Sequence, residues 1–375
     1  MESEKKKIVF PPEDDSFFDD LKKEVNSYFK SNNISIYGNP LIYAKILLLF
    51  IIYLFTYFIP FFFNVSENQI FICYTFLGIW SLFLGVNVGH DAAHNALFKN
   101  TKYNKLFIHI FDLLGLSSFN WKNRHVKGHH KYSNIMHYDP DIQQSVVVKI
   151  FPQDRHKKFH RYQWLYMPFI YAIFIPRWIF YRDFKDIFFK KIGGFYNHPF
   201  PIKEILKMIT FKISYVTYLV LIPSWLLSYE LTTFIWAFLM LMISSSLTIV
   251  VVLLTTHMLE HSKFPEPDKN GIMPYSWSKH QLLTTSDYAT KSFIITHLFG
   301  GFNHHVIHHL FQHICHIHYP ALTEILQKVA YKHNVTYQSH RYIIPAIFSH
   351  LKLLYKNGRI SKVVSQEIIK TIRIH

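Results

Sequence analysis

The 375-residue chain is poor in cysteine. Cys73 and Cys315 lie far apart and form no CxxC pair, so neither a disulfide framework nor a thiolate metal site gains support. Residues 1–39 are polar and mixed in charge, as in "MESEKKK" and "PPEDDSFFDDLKKE". They lack the charged, apolar and small-residue succession of a secretory signal and are expected to be a short cytosolic lead-in. Acidic residues are outnumbered, 24 Asp and Glu against 40 Lys and Arg, which leaves a formal charge of +16. A basic stripe on a soluble domain would suggest nucleic acid. Here the basic residues sit between long apolar runs, which points to membrane topology instead and leaves nucleic acid out.

What the chain has in abundance is apolar and aromatic mass. Half of it is hydrophobic, with 36 Phe and 24 Tyr, a composition that suits contact with lipid. The run Leu41–Phe63 is long enough to cross a hydrocarbon core, which takes ~20 helical residues. Lys45 near its start is expected to snorkel. The linker "NVSENQ" (64–69) leads to a second run, Ile70–Val88, which ends at "GHDAAH". A second pair, about Ile213–Ser228 and Leu231–Leu254, is joined at "SYE". Pro223 is expected to kink the first of these helices, and Ser244–Ser246 to serve helix packing. The segment "QWLYMPFIYAIFIPRWIFY" (163–181) holds Pro168, Pro176 and Arg177 and reads as interfacial or re-entrant. The run "KLFIHIFDLLGL" (105–116) is too short to span and reads as a helix at the membrane face.

The resulting expectation is an all-α integral membrane protein with four transmembrane helices in two hairpins. Its segments are 1–39 (N-terminal), 40–88 (first hairpin), 89–208 (first histidine-bearing region), 209–256 (second hairpin) and 257–375 (C-terminal histidine-bearing region). Both interhelical linkers lack Lys and Arg. The positive-inside rule then places both termini and the middle region in the cytoplasm, with a bacterial inner membrane as the expected location.

Histidine is the second excess, 25 residues in all. "HDAAH" supplies His90 and His94, and "HVKGHH" supplies His125, His129 and His130. "HMLEH" supplies His257 and His261, and "HVIHH" supplies His305, His308 and His309. Residues at i, i+3 and i+4 share a helix face, so each group can aim two or three imidazoles at one point. His130 lies about 100° round from His129, which suits a ligand reaching a second metal. All four groups border the same membrane face. Other histidines, among them His109, His137, His156, His160, His198, His316 and His318, are scattered and read as non-ligands.

A single zinc takes about four ligands, so eight or nine clustered histidines imply two metals. The zincin pattern needs Glu after the first His, and Met258 and Asp91 stand there instead. An oxygen-activating di-iron site fits better, in a cytoplasmic helical domain. Asp91, Asp139, Asp141, Glu260 and Asp287 are the carboxylates near enough in sequence to orient a ligand imidazole. Trp121, Trp164 and Trp277 are candidate lining residues for an apolar tunnel, or ordinary packing.

The boxes "HDAAH", "HVKGHH" and "HVIHH", in this order and spacing, resemble those of the membrane fatty acid desaturases. The resemblance covers about residues 85–355 and extends to "HNALFKN", "HHKYSNI", "QLLTTSDYATKS" and "GGFNHHVIHHLF…CHIHYP". It is nearest to stand-alone bacterial front-end and linoleoyl-CoA-type enzymes. It implies four spans, a cytoplasmic di-iron domain, and the ligands His90, His94, His125, His129, His130, His305, His308 and His309. His257 best matches an additional ligand after the fourth span, which leaves His261 and His304 outside the set. The resemblance also implies O2 as co-substrate and an acyl chain taken from the bilayer or from acyl-CoA. His305 stands where front-end enzymes often have Gln, and no His-Pro-Gly-Gly haem motif occurs. Electrons are then expected from a separate ferredoxin or cytochrome b5-type donor with its reductase. A lipid hydroxylase or ketolase on the same scaffold is the alternative. A metal transporter would need ionisable residues inside the spans, which are nearly free of them.

Overall fold

A computed structural model describes residues 7–13, 16–142, 145–197 and 199–359. Among them, four helices are long and apolar enough to cross a membrane: Pro40–Phe62, Glu67–Ala93, Ile202–Leu226 and Leu231–His257. These are called the first to fourth spans below. Their outward faces carry large exposed apolar side chains such as Leu47, Phe55, Trp225 and Trp236, as lipid-facing surfaces do.

Three of the spans outrun their apolar stretches. The second passes through a π-helical turn, Gly85–Gly89, and continues into His90–Ala93. The fourth carries His257 on its last turn. Histidines of two groups are therefore fixed to span ends rather than to loops. The third starts at Ile202, well before the expected Ile213, because the amphipathic stretch 202–212 winds in the same helix.

The second span packs on both the first and the fourth. At the second–fourth crossing the serines replace bulk. Ser244 Oγ donates to Thr75 O at 2.8 Å, and Ser245 Oγ to Gly78 O at 2.6 Å. A Cβ at Gly78 would lie 2.2 Å from Leu241 O, so only glycine permits this approach. Pro223 acts through a π-helical turn, Thr217–Leu221, that precedes it. Proline offers no amide to the carbonyl of Leu219, and the Tyr74 hydroxyl takes that carbonyl at 2.6 Å.

Lys45 does not snorkel. Its ammonium turns inward to Asn87 Oδ1 at 2.7 Å, His297 O at 3.3 Å and His316 Nε2 at 2.8 Å. Three inward acceptors outcompete water for a charge on the face of the helix that packs against other protein. The segment 163–181 breaks into Gln163–Tyr171, Phe174–Arg177 and a π-helical turn, and it is not one of the four span-length helices. The Ile175 amide donates to Ser246 Oγ at 2.9 Å, so this piece rises beside the fourth span.

The N-terminal stretch is more than a lead-in. Phe17–Ser31 forms a helix that buries Phe17, Leu21, Val25 and Phe29, one stripe at fourfold spacing. It packs on Tyr319–Lys332, which in turn abuts the short helix His305–Leu310. Val9 adds a β-bridge to Ile272.

Candidate metal centre

The four histidine groups converge. His90, His94, His125 and His308 bring four ring nitrogens within 4.8 Å of one another, and so do His129, His257, His305 and His309. All eight are buried. Metal–imidazole bonds of ~2.1 Å put ligand nitrogens up to ~4 Å apart, so each tetrad is the size of one metal site.

The two tetrads divide the sequence groups. His90 and His94 go together, but His125 and His129 part company, and so do His308 and its neighbours His305 and His309. The expectation that each group aims at one point fails for these two boxes. The rings divide by the neighbours each one meets. His129 Nε2 lies 3.0 Å from His257 Nε2, whereas the His125 ring centre lies 5.2 Å from that of His90 and 5.4 Å from that of His94. His130 belongs to neither tetrad. Its Nε2 is 3.2 Å from His125 Nε2, and its ring lies 4.3 Å from His309 and 4.6 Å from both His94 and His308. It stands between the two sites.

Outward hydrogen bonds fix most of the tautomers. His125 Nδ1 donates to Asp141 at 3.0 Å and His129 Nδ1 to Asp139 at 2.9 Å. His257 Nδ1 donates to Thr284 O at 3.0 Å and His309 Nδ1 to Gln281 Oε1 at 2.8 Å. Each of these four leaves its lone pair on Nε2, facing inward. His308 Nδ1 lies 3.0 Å from the Tyr319 hydroxyl, which can donate or accept. Within the second tetrad, His257 Nε2 lies 3.0 Å from His129 Nε2 and 2.8 Å from His305 Nε2. Both nitrogens of His90 and of His94, and Nε2 of His308 and His309, make no hydrogen bond. Buried imidazoles that face one another unpartnered are costly, and a cation at the centre of each tetrad removes that cost. The residues present therefore fit two metal ions. Burial drives His94, His130, His305, His308 and His309 well below the ordinary imidazole range and brings His125 down to about 4. That keeps them in the neutral form a metal binds. Burial also pushes His129 down, but the Asp139 carboxylate more than reverses this.

The five candidate carboxylates differ. Asp139 and Asp141 hold ligand imidazoles as described. Asp287 holds a helix end: its Oδ1 accepts from the Val306 amide at 2.8 Å and its Oδ2 from the Tyr337 hydroxyl. Asp91 binds His316, Oδ2 to Nδ1 at 2.8 Å, and stays 3.5 Å from His90 Nδ1. Glu260 faces away, paired with Lys352 and Lys356, because its side of the turn is open to water. His261 lies against Ser286 and His340, and His304 between Thr296 and Thr323. Asp91, Cys315 and His316 form a third polar group, whose cation is the Lys45 ammonium. Sequence reasoning missed Gln281, Thr284, Tyr319, Lys45 and His316 as neighbours of the site. Gln281, Thr284, Tyr319 and His316 sit inside "QLLTTSDYATKS" and "CHIHYP", where the only signal is an unusual density of polar residues beside histidines.

An apolar cavity meets both tetrads. His90 and His125 of the first and His129, His257 and His305 of the second line one end. Beyond them come Val86, Phe111, Trp121, Trp178, Ile249 and Leu253. Trp121 stacks on Phe111 and lies 4.5 Å from His125. Trp164 and Trp277 do not line the cavity. They pack in separate clusters.

The sequence model of the fatty acid desaturase family matches residues 66–341. A sn-1 linoleoyl-lipid 6-desaturase of Synechocystis is 31% identical over 349 residues, 91% of this chain and 95% of that protein. The enzyme of the same name from Arthrospira platensis is 32% identical, over 91% of this chain and 92% of that protein. An acyl-lipid (8-3)-desaturase of Physcomitrium patens is 29% identical, over 92% of this chain and 72% of that protein.

Proposed function

The chain belongs to the fatty acid desaturase family, and we propose that its two histidine tetrads hold two iron ions used to place a cis double bond near the carboxyl end of a fatty acyl chain. One observation carries this reading: an apolar cavity that opens on five histidines drawn from both tetrads.

The cavity has the depth for an acyl tail. Ser81 and Ser245 line it too, nine residues before His90 and twelve before His257. At ~1.5 Å per helical residue these lie about 13 and 18 Å from the histidines. The apolar walls exclude water around a chain that has no polar group for recognition, so shape alone registers its carbons. A bound iron pair supplies the oxidising power for an unactivated C–H bond. The balance is two hydrogens from adjacent methylenes, two electrons and two protons, which together reduce O2 to two waters. Asp139 and Asp141 keep His129 and His125 aimed inward. Relatives named 6-desaturase and (8-3)-desaturase support a bond near the carboxyl end.

In this reading the spans form two hairpins, and both termini and the metal centre face the cytoplasm of a bacterial inner membrane. The acyl chain comes from a bilayer lipid or acyl-CoA. Electrons arrive from a ferredoxin or cytochrome b5-type protein with its reductase. The excess of lysine and arginine on that side suits an acidic donor.

The test is the fatty acid profile of a host expressing the protein with such a donor, beside a His308→Ala, His309→Ala variant. A new unsaturated species, present only with the unaltered protein and located by mass spectrometry, is expected. A hydroxylated or keto product would move the chain to the oxygenase reading.

A further inference from the structure

On the far side of the wall that carries Phe111 and Trp121 lies an open concavity with a different character. Lys105, Lys122, Lys127 and Lys207 line it, together with Asn95, Asn123 and Ser118. One carboxylate is present, Glu204, and Lys207 takes it at 2.5 Å. Among the described residues, no ion pair is formed by Lys105, Lys122 or Lys127. Three ammonium groups without an ion pair thus line one hollow, whose one lining carboxylate, Glu204, is taken by Lys207. Burial lowers the Lys122 ammonium from its ordinary value, and Lys127 and Lys105 lower it further, so the three repel one another across the space. A positive charge count explains lysines on this side of the membrane. It does not explain three of them facing one hollow, since repulsion favours spreading them.

The depth of the hollow is set by its surroundings. Glu204 and Lys207 lie in the first turns of the third span, Ile202–Leu226. Ile202 and Leu206 beside them, and Leu106 beside Lys105, are exposed apolar side chains. Apolar side chains bared to lipid next to unpaired ammonium groups mark the boundary between acyl chains and water. An anion bound there is held at the level of lipid phosphates.

We propose that Lys105, Lys122 and Lys127 form a phosphate site that binds the headgroup of an anionic phospholipid against the outer face of the segments carrying His94 and His125. The amide side chains of Asn95 and Asn123 offer neutral donors to the same group. Asn95 follows His94 directly, and Asn123 stands two residues before His125, so lipid binding orders the backbone behind the first tetrad. The site needs no assumption about the reaction, and its test does not use activity.

The experiment is native mass spectrometry of the metal-loaded protein in detergent, titrated with phosphatidylglycerol, with phosphatidylcholine, and with phosphatidylglycerol in the presence of inorganic phosphate. A Lys105→Gln, Lys122→Gln, Lys127→Gln variant is compared with the matching arginine triple variant. A surface lysine contributes ~1 kcal/mol to anionic lipid binding, about fivefold in affinity. The glutamine variant should therefore bind phosphatidylglycerol on the order of 100-fold more weakly, while the arginine variant keeps the affinity. Displacement by millimolar inorganic phosphate would also support the site, and would show that phosphate is recognised whatever carries it. Equal affinity for both lipids, or a phosphatidylglycerol preference that survives in the glutamine variant with metal content unchanged, would overturn the proposal.

Discussion

The two tetrads are alike in composition and unlike in support. In the second, three of four histidines have their outer nitrogen fixed: His129 by Asp139, His257 by Thr284 and His309 by Gln281. In the first, only His125 is held by an acceptor, His308 meets the Tyr319 hydroxyl, and neither nitrogen of His94 makes a hydrogen bond, while His90 Nδ1 has Asp91 no nearer than 3.5 Å. The anchors differ as well. His90 rides on a span end that follows a π-helical turn, whereas His257 ends an uninterrupted helix of 27 residues. Hydrogen bonds to the outer nitrogen set the aim of a ligand before the metal arrives. The second tetrad is therefore organised by the protein, and the first would rely more on a bound metal.

The largest effect that probes this contrast is removal of a ligand. His257→Ala and His308→Ala should each abolish desaturation and leave one metal per chain where the unaltered protein should hold two, measured by elemental analysis. If both variants lost both metals, the tetrads would be one unit and the comparison would collapse. Next in size are the supporting carboxylates. Asp139→Asn should weaken metal binding about 10- to 100-fold, with a larger loss than Asp141→Asn. Asp139 also accepts from the backbone amides of Asn134, Asp141 and Ile142, whereas Asp141 shares its charge with Arg182 at 3.2 Å. A competition titration against a coloured chelator ranks the two. Chelation of the unaltered protein should then be stepwise, with the less supported tetrad emptied first. Tyr319→Phe, which frees His308 Nδ1, should speed that first step by up to about tenfold and leave the second alone.

The smallest effect lies away from both tetrads and serves as their control. Lys332 and His333 hold the Asp20 carboxyl down at about 2. Its folded value is below its unfolded one, so the tie between Phe17–Ser31 and Tyr319–Lys332 is present above pH ~4 and fades as pH falls towards 2. Asp20→Asn should slightly raise hydrogen exchange in residues 17–31 at neutral pH with metal content unchanged. Loss of metal in that variant would mean that the N-terminal helix supports the His305–Leu310 helix more than its surface ion pairs suggest.

Much of this was legible along the chain. A hydrocarbon core demands ~20 apolar residues in a row, and such runs are visible without any tertiary knowledge. The histidine groups are equally local, because i, i+3 and i+4 spacing is a property of one helix. His257, rather than His261, was legible through the resemblance, and the fold brings it into the second tetrad. The Phe17–Ser31 stripe at i, i+4 was also present in the sequence, masked by its charged neighbours.

What no local pattern carried is the partition of ligands. His308 joins residues more than 180 positions away while His305 and His309, its neighbours, join others. The inward turn of Lys45 is of the same kind, since its acceptors Asn87, His297 and His316 come from three distant segments. The sequence by itself determined the span-length helices and the clustering of histidines at helical spacing, because each follows from the spacing of neighbours and from water's exclusion from lipid. Only the tertiary structure decided which imidazoles share a centre and which carboxylates aim them, because ring planes and hydrogen-bond partners are set by how distant helices pack.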